Sequence, residues 1–441
     1  MIEYRNLRIA LLGAGSVGAQ VASLLLEHGD ELSERVGAGL ELVGVAVRDL
    51  DAERSAEIPK HLLTTDARSL ILGADIVVEL MGGLEPAREY LELALNSGAD
   101  VVTANKALLA THGPELFEIA EQVGAQLYYE AAVGGAIPII RPLRDSLAGD
   151  RVRRILGIVN GTTNYILDRM DLEHGDFDEV LADAQRLGYA EADPTADVEG
   201  YDAAQKAAIL ASLAFHTTVP LDAVHREGIR EITAEQVASA RAAGFVVKLL
   251  AVCERVVDPE TGVEGVSARV HPALVPLDHP LAAVHGANNA VFLEAEAAGA
   301  LMFYGAGAGG VQTASAVLGD VVSAARRHVI GGPGVAESTQ ANLPILPISS
   351  VTTRYQITLE VIDQPGVLAA IATMFSEHDV SVEAVQQSVR PEPVQEGRPP
   401  TATLVIGTHE ATESALAATV ASLDANESVA EVTSVLRVEG L

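Results

Sequence analysis

The sequence is poor in cysteine, in basic residues and in long hydrophobic runs. Its one cysteine, Cys253, cannot form an intrachain disulfide, which favours a reducing compartment. No apolar run approaches the ~18 residues that span a bilayer. Residues 1–6 also lack the basic and apolar regions of a signal peptide. We therefore expect a cytoplasmic protein without membrane segments.

Basic residues are strongly outnumbered by acidic ones. The 29 lysines and arginines stand against 61 aspartates and glutamates, which gives a formal net charge of −32. A surface this negative repels the phosphates of nucleic acids and of anionic lipids, so we expect neither as a partner. The 49% of hydrophobic residues indicates a folded globular chain. At ~100–200 residues per domain, the length allows about two to four domains.

Lysine is scarce among the basic residues: only Lys60, Lys106, Lys206 and Lys248 occur. Arginine stays charged at essentially any pH, whereas lysine can give up a proton. Lys106 and Lys206 lie in motifs that are described below. A surface position is an adequate interpretation of Lys60 and Lys248.

The first 150 residues alternate short buried strands with helices. This alternation predicts a parallel sheet with helices on both faces, which is a Rossmann-type nucleotide-binding domain over residues 1–150. The predicted strands are 7–12, 40–47, 76–80, 101–103 and 126–130, and the predicted helices include 17–26 and 86–96.

The pattern changes near residue 151. Longer strands and an alanine-rich helix predict an α+β domain over 151–330. The family resemblance described below implies that this domain serves catalysis and dimerisation. A Gly- and Pro-rich linker is predicted over 331–352. The last segment, 353–441, has the βαββαβ order of a ferredoxin-like domain, with a Pro-rich loop at 391–400. The whole chain is therefore predicted to be of the α/β class.

The segment Gly13-Ala14-Gly15-Ser16-Val17-Gly18 matches G-x-G-x-x-G, follows a buried strand and opens a helix. Gly13 permits the tight turn, and Gly15 lets a pyrophosphate approach the helix N-terminus. Gly18 allows the helix to pack closely on the strand. We predict a dinucleotide cofactor here, and the alternative is a tight turn without a ligand.

The end of the second predicted strand bears on the choice of cofactor. It carries Arg48 followed by Asp49. An arginine at this place can hold the 2′-phosphate of NADP, while a carboxylate binds the 2′-hydroxyl of NAD. Arg48 favours NADP, and Asp49 leaves NAD open.

Two lysines lie in motifs that suit proton transfer. Lys106 follows a buried strand, at the edge of the sheet where ligands bind; the alternative is a surface lysine at a helix start. Asp202 and Lys206 share one helix face. The alternative is a surface ion pair, but the flanking alanines, Ile209 and Leu210 indicate a mostly buried helix. A lysine buried there needs a partner or a function, and its pKa can be tuned for acid–base work.

At this point the sequence resembles homoserine dehydrogenases that carry a C-terminal regulatory ACT domain. The resemblance covers the whole chain in order. It rests on the glycine loop and on residues 103–106, 129–135, 160–166, 188–206 and 305–320. It implies NAD(P)-linked interconversion of L-aspartate 4-semialdehyde and L-homoserine, in the biosynthesis of threonine, methionine and isoleucine. Lys106 and Lys206 would flank the carbonyl, and one would donate the proton.

The resemblance also implies roles for further residues. Glu191 and Asp202 would bind the substrate ammonium, with Asp197 at an acidic family position, and Gly161 and Thr162 would lie against substrate or nicotinamide. The residues implied to contact the cofactor are Gly13, Gly15, Ser16, Val17, Gly18, Arg48, Thr103, Asn105, Lys106 and Gly309. The helix that follows residues 305–310 would return to the nucleotide-binding domain.

A structural cation site is implied as well. Glu130 and the backbone of Val133, Gly135 and Ile137 match a family site for a monovalent cation such as Na⁺. The alternative for this segment is a simple Gly-rich turn.

Residues 363–368 and the βαββαβ order resemble an ACT domain. The resemblance implies threonine as effector and a homodimer or homotetramer; the alternative is a dimerisation module without a ligand response. Two other functions stay open, a non-catalytic dinucleotide-sensing protein and a dehydrogenase of another small amino-acid aldehyde. Cys253 lies in an apolar strand, which disfavours oxidation of an aldehyde through a cysteine nucleophile.

Overall fold

A computed structural model describes residues 5–259, 261–332, 339–388 and 400–440. Within these residues, no helix is both long and apolar enough to cross a membrane. The strands are, in chain order, β1 (Leu7–Leu12), β2 (Leu40–Ala46), β3 (Leu63–Thr64), β4 (Ile76–Glu79), β5 (Asp100–Thr103), β6 (Leu127–Tyr128), β7 (Val152–Ile158), β8 (His225–Arg226), β9 (Phe245–Val257), β10 (Glu264–Pro276), β11 (Asn288–Ala295), β12 (Gly299–Ala306), β13 (Thr352–Ile362), β14 (Val382–Ser388), β15 (Thr401–Thr408), β16 (Ala411–Thr412) and β17 (Val429–Val438). The α-helices are α1 (Ser16–Glu27), α2 (Gly29–Val36), α3 (Ala67–Leu72), α4 (Ala87–Asn96), α5 (Lys106–Val123), α6 (Gly161–Glu173), α7 (Phe177–Leu187), α8 (Thr195–Val198), α9 (Tyr201–Phe215), α10 (Ala234–Ala242), α11 (Gly310–Ile330), α12 (Val367–Glu377) and α13 (Glu413–Asp424).

The chain forms two compact units that interleave along the sequence. The first unit comprises Met1–Gly161, Tyr201–Val224 and Ala287–Leu343. The second unit comprises Thr162–Gly200, His225–Gly286 and Pro344–Leu441. The domain boundaries at residues 150, 330 and 352 stay predictions.

The first unit is built on a parallel six-stranded sheet. Its strand order is β3-β2-β1-β4-β5-β6, as predicted for a Rossmann-type domain. β1 lies at the centre, where Leu12 is paired with Ala46 on one side and with Glu79 on the other. Buried aliphatic side chains of the strands and of α1 and α11 form one core beside this sheet. The same unit contains an antiparallel group in the order β7-β11-β12.

The predicted return of the last core helix is seen within this unit. α11 packs against α1, and a Cβ on Gly310 would lie 2.7 Å from the carbonyl oxygen of Ser16. The two helices therefore meet closely beside the glycine loop. α11 runs from Gly310 to Ile330.

The second unit contains a long antiparallel hairpin and the C-terminal domain. β9 and β10 pair over their full lengths, from Glu264 with Val257 to Pro276 with Phe245. β17 adds to β10 in parallel, where Ala273 pairs with Arg437. β17 thus joins the hairpin to the other strands of the C-terminal domain.

The C-terminal segment has the predicted ferredoxin-like arrangement. Its strands follow the order β17-β13-β15-β14, with β13 antiparallel to both β15 and β17. α12 and α13 pack on each other, and their apolar faces join a core with the strands. Of the predicted Pro-rich loop at 391–400, residues 391–399 lie outside the described residues.

Several elements differ from the sequence prediction. The strand predicted over 126–130 is only β6, because Glu130 starts a 3₁₀ turn and its backbone N–H donates to Asp320 on α11, 2.8 Å away. The predicted linker is partly structured: Val266 of β10 exchanges hydrogen bonds with Pro344 and Leu346.

Candidate active site

The glycine loop has the geometry expected of a dinucleotide site. Gly13 has φ +96°, a left-handed conformation that side chains rarely adopt. A Cβ on Gly18 would lie 2.1 Å from the carbonyl oxygen of Gly13, so only glycine lets α1 pack this closely. A Cβ on Gly15 would meet nothing within 4 Å, which leaves open space in front of the N-terminus of α1. The N–H groups of the first turn, at Ser16 and Val17, can therefore face a diphosphate.

Arg48 is exposed just after β2, as the cofactor prediction requires. Asp49 is engaged locally, because its Oδ1 accepts the N–H of Asp51 at 2.9 Å. Arg54 closes the same loop by donating to the carbonyl oxygens of Asp49 and Ala52 at 2.6 and 2.7 Å. The exposed Arg48 side chain can therefore meet an anionic ligand at the end of β2.

The residues after β5 are fixed by a buried carboxylate. Glu79 is fully buried, and its Oε2 accepts the hydroxyl of Thr103 at 2.7 Å. Its Oε1 accepts the N–H groups of Met81 and Gly82, which follow β4. Asn105 caps α5 by accepting the N–H of Leu108. Thr103 therefore joins the ends of two adjacent strands through Glu79, and Asn105 fixes the start of α5. Their direct contact with the cofactor stays a prediction.

One carboxylate joins the two lysines that the sequence singled out. Oδ1 of Asp202 lies 3.0 Å from Nζ of Lys106, and Oδ2 lies 2.8 Å from Nζ of Lys206. Nδ2 of Asn160 donates to the same Oδ2 at 2.9 Å. Lys206 also donates to the carbonyl oxygen of Val159 at 2.6 Å. The surface ion pair considered for Asp202 and Lys206 is thus ruled out by their burial.

The electrostatics of this group favour a charged Asp202. Burial alone would raise the pKa of its carboxyl, but the ammonium groups of Lys206 and Lys106 outweigh that effect and hold the pKa well below its ordinary value. The lysines differ in access to solvent, since the side chain of Lys106 is 39% exposed and that of Lys206 is 10% exposed. The Asp202 carboxylate therefore binds two ammonium groups, that of Lys106 on a partly exposed side chain and that of Lys206 on a largely buried one.

Sequence comparison assigns this combination of sites to one family. Family models described as homoserine dehydrogenase, as its NAD binding domain and as an ACT domain match residues 138–322, 13–130 and 355–427. The homoserine dehydrogenase of Corynebacterium glutamicum is 54% identical over 98% of this chain and 95% of its own length. The chain belongs to the homoserine dehydrogenase family.

Solved structures agree with this assignment. A homoserine dehydrogenase from Thiobacillus denitrificans has a TM-score of 0.89 and 38% identity, covering 99% of both chains. A hyperthermophilic archaeal homoserine dehydrogenase in complex with NADPH has a TM-score of 0.59 and 27% identity, covering 72% of this chain and 97% of its own. The predicted oxidoreductase activity and the C-terminal ACT domain are confirmed. A binding domain for a nicotinamide dinucleotide is confirmed as well.

The residues that the homoserine dehydrogenase resemblance implies for the substrate site are divided between the two units. Gly161 does lie in the first unit, where a Cβ would come within 2.6 Å of the carbonyl oxygen of Ala287. Thr162, Glu191 and Asp197 lie in the second unit. Thr162 donates to the carbonyl oxygen of Tyr189 at 2.7 Å, and the Glu191 side chain is exposed. Their contacts with substrate stay predictions.

Gly309 stands at the start of α11 with φ +126°, and a Cβ there would lie 2.3 Å from Oε1 of Gln312. The positive φ favours glycine at this position, whereas the end of the Gln312 side chain could move away from a Cβ. The predicted contact of Gly309 with the cofactor is untested by this geometry and stays a prediction.

The Glu130 side chain does not fit the predicted cation site as a ligand. Its Oε1 accepts the N–H groups of Ile139 and Ile140, at 2.6 and 2.8 Å. Its Oε2 accepts the backbone N–H and Nε of Arg141, both at 2.9 Å. A carboxylate offers about four lone-pair positions, and these bonds use all of them. An ion here would depend on backbone carbonyl oxygens, such as those of Val133, Gly135 and Ile137. Among the described residues no cluster of three or more His, Cys, Asp or Glu could hold a metal ion.

The surface interpretation of Lys248 is wrong. The residue is 2% exposed on β9, and its Nζ donates to Oδ1 of Asn164 and to the carbonyl oxygen of Val284. Burial lowers the pKa of Lys248 to about 8, against the attraction of nearby acidic side chains. Cys253 on the same strand is fully buried as expected, and burial raises the pKa of its thiol to about 12. It is therefore no nucleophile.

Sequence reasoning missed the partners that hold the reactive group. Asn160 and the Val159 carbonyl anchor Asp202 and Lys206, and Glu79 anchors the end of β5. Asn160 lies in the motif at residues 160–166, which does not by itself indicate this role. Glu79 had a readable signal, since a carboxylate at the end of an otherwise apolar buried strand needs hydrogen-bond donors.

Proposed function

We propose that this homoserine dehydrogenase reduces L-aspartate 4-semialdehyde to L-homoserine with Lys206 as the proton donor and Lys106 as a second cation beside the carbonyl. The observation that carries the proposal is the bridging of both ammonium groups by Asp202. Their fixed positive charge would stabilise the alkoxide that develops as the carbonyl is reduced. Proton transfer to that oxygen then yields the alcohol.

Lys206 suits the donor role because of its hydrogen bonds. An ammonium group has three N–H donors, and two are directed to Val159 and Asp202 within the described structure. These bonds fix the position of Nζ and leave one N–H for a substrate oxygen. Lys106, with its more exposed side chain, can exchange protons with water and meet the substrate from the open side.

The residues of the glycine loop fit a dinucleotide. We propose that the first turn of α1 holds the diphosphate, with open space at Gly15, and that Arg48 holds a 2′-phosphate, which makes NADPH the preferred cofactor. When bound, the nicotinamide supplies the hydride. The NADPH complex of the archaeal relative supports this choice.

Replacing Lys206 by methionine tests the catalytic proposal. The variant keeps the apolar stem and removes the ammonium group. We expect turnover to fall by about 10³-fold, within the range of general acid catalysis, while NADPH still binds. Arg186→Met removes an exposed cation from α7 and serves as the control, with turnover unchanged. Near-normal turnover of the Lys206 variant would refute the proposal.

Arg48→Ala tests the cofactor preference. Loss of a charge-assisted bond to the 2′-phosphate should lower the ratio of kcat/KM for NADPH over NADH by about 10-fold or more. The rate with NADH should change little. An unchanged ratio would mean that Arg48 does not read the 2′-phosphate.

We further propose threonine as the effector of the ACT domain and a homodimer or homotetramer as the assembly. The support is the match of residues 355–427 to the ACT family, whose members respond to amino acids. Initial rates against threonine concentration test the first point, and light scattering after gel filtration tests the second.

A cytoplasmic location is proposed from the single, buried cysteine. Any Na⁺ in the segment after Glu130 would be bound by backbone oxygens.

A further inference from the structure

Lys248 occupies a position that is costly for a charged residue. It lies near the start of β9, and within the described residues both partners of its Nζ are neutral oxygens: Oδ1 of Asn164 at 3.0 Å and the carbonyl of Val284 at 2.7 Å. A buried ammonium group without a bonded carboxylate opposes folding. The lysine therefore calls for an explanation beyond stability.

The partners of Lys248 join one face of α6 to a turn before β11. Nδ2 of Asn164 donates to the carbonyl oxygens of Val284 and Gly286, at 3.2 and 2.9 Å. One helical turn further, Asp168 accepts Nδ1 of His285 at 2.7 Å and the N–H of Gly286 at 2.8 Å. Lys248 lies between helix and turn, and it bonds to both. Its removal would leave two buried acceptors without this donor.

The helix and the turn that Lys248 joins both continue into the site. α6 begins at Gly161, directly after the Val159 carbonyl that accepts from Lys206 and the Asn160 amide that donates to Asp202. The turn continues into Ala287, whose carbonyl oxygen is in close contact with Gly161. A shift of α6 would therefore displace the backbone that fixes Lys206.

We propose that Lys248 is a positioning residue for the reaction. It holds the first turn of α6 in a fixed position, so that residues 159–161 keep Lys206 and Asp202 in place. It touches neither of these residues and acts through Asn164 and α6. The proposal rests on the proposed role of Lys206. A displacement on the order of 1 Å at a reacting group can lower the rate about 10²-fold.

The test combines Lys248→Met with Lys206→Met in a double-mutant cycle on the full-length protein. In the otherwise native chain, Lys248→Met is expected to lower kcat by about 10²-fold. The NADPH dissociation constant should stay within about twofold, because the glycine loop is untouched. In the Lys206→Met chain, Lys248→Met should change the residual rate by less than about threefold, because the group it positions is already gone. A purely structural role would lower the rate equally in both backgrounds.

Cys253→Ala is the matched control. It alters a fully buried side chain on the same strand, and turnover should stay near normal even if the melting temperature falls. Asn164→Ala provides a second route, since it removes one acceptor of Lys248 and should reproduce the fall in kcat.

The outcomes separate this inference from the proposed function. A kcat within about threefold of the native value in folded Lys248→Met overturns the inference alone, as does an equal loss in both backgrounds. If neither Lys248→Met nor Asn164→Ala gives a folded protein, the role is structural and the inference is wrong. Near-normal turnover of Lys206→Met would instead overturn the proposed function.

Discussion

Replacing Glu439 by glutamine should destabilise the second unit markedly. The Arg269 side chain is 1% exposed, and its Nη1 and Nη2 lie 2.6 Å from Glu254 and 2.9 Å from Glu439. Burial would lower the pKa of Arg269, but these two carboxylates outweigh it and raise the pKa. Burial lowers the pKa of His271, which lies 3.6 Å from Glu439, so this ring stays neutral and leaves the carboxylate to Arg269.

The magnitude follows from what remains after the substitution. Removing one partner of a buried ion pair costs about 3–5 kcal/mol, because the other charge is left uncompensated. Here Glu254 still faces the guanidinium, and glutamine can accept one hydrogen bond, so we expect a cost near the lower limit, about 3 kcal/mol. With a urea m-value of about 3 kcal/mol/M, the unfolding midpoint should fall by about 1 M.

Urea unfolding followed by far-UV circular dichroism measures this effect, since the chain has no tryptophan to report by fluorescence. Asp183→Asn is the matched control, because it breaks an ion pair with Arg186 in which both side chains are more than half exposed. Such pairs contribute about 0–1 kcal/mol. If Glu439→Gln shifted the midpoint no more than Asp183→Asn, the reasoning on the buried pair would be refuted.

Two further predictions concern the glycine loop and the loss of folding stability at acidic pH. Gly15→Ala should weaken NADPH binding at an unchanged melting temperature, because its Cβ enters open space; Gly18→Ala should lower the melting temperature, because its Cβ would lie 2.1 Å from a backbone carbonyl. Equal melting temperatures would contradict this. Burial would raise the pKa of Glu227, but hydrogen bonds from His225 and Arg437 outweigh it and lower the pKa from 4.5 to about 2. The stability that Glu227 contributes is complete above pH 4.5 and lost as pH falls towards 2. Unfolding of Glu227→Gln between these pH values should show a smaller acid dependence than that of the native chain, and an equal dependence would disprove the assignment.

Local patterns in the sequence were sufficient to predict most elements. The buried run before Gly13 predicts β1, and the alternation that follows predicts the parallel sheet, since both depend on neighbours along the chain. α10 was missed although it carries a readable signal: Thr233 accepts the N–H of Gln236, whose side chain accepts the N–H of Thr233, a capping box.

Long-range arrangements could not be predicted in the same way. Residues 201–224 and 287–343 join the first unit although the segments between them join the second. That division depends on contacts between residues far apart in sequence. Similarly, the spacing of Asp202 and Lys206 predicts their pairing, while the approach of Lys106 to Oδ1 of Asp202 depends on how α5 and α9 pack. Sequence alone gives the residue types of the site and leaves their distances open.

Burial distinguishes Lys206 and Lys248 among the lysines, whereas Lys106, with a side chain that is 39% exposed, is indicated by its motif. Lys60 is exposed, and arginine would serve there equally well. Lys206 and Lys248 are buried, and each Nζ donates two hydrogen bonds. Lys206 donates to the Val159 carbonyl and to Asp202, and Lys248 donates to Asn164 and to the Val284 carbonyl. A guanidinium spreads its donors over a rigid plane and cannot converge on two acceptors in that way. In a chain whose basic residues are mostly arginine, lysine is thus retained where a compact donor has to fit, and that criterion selects Lys248 although no motif does.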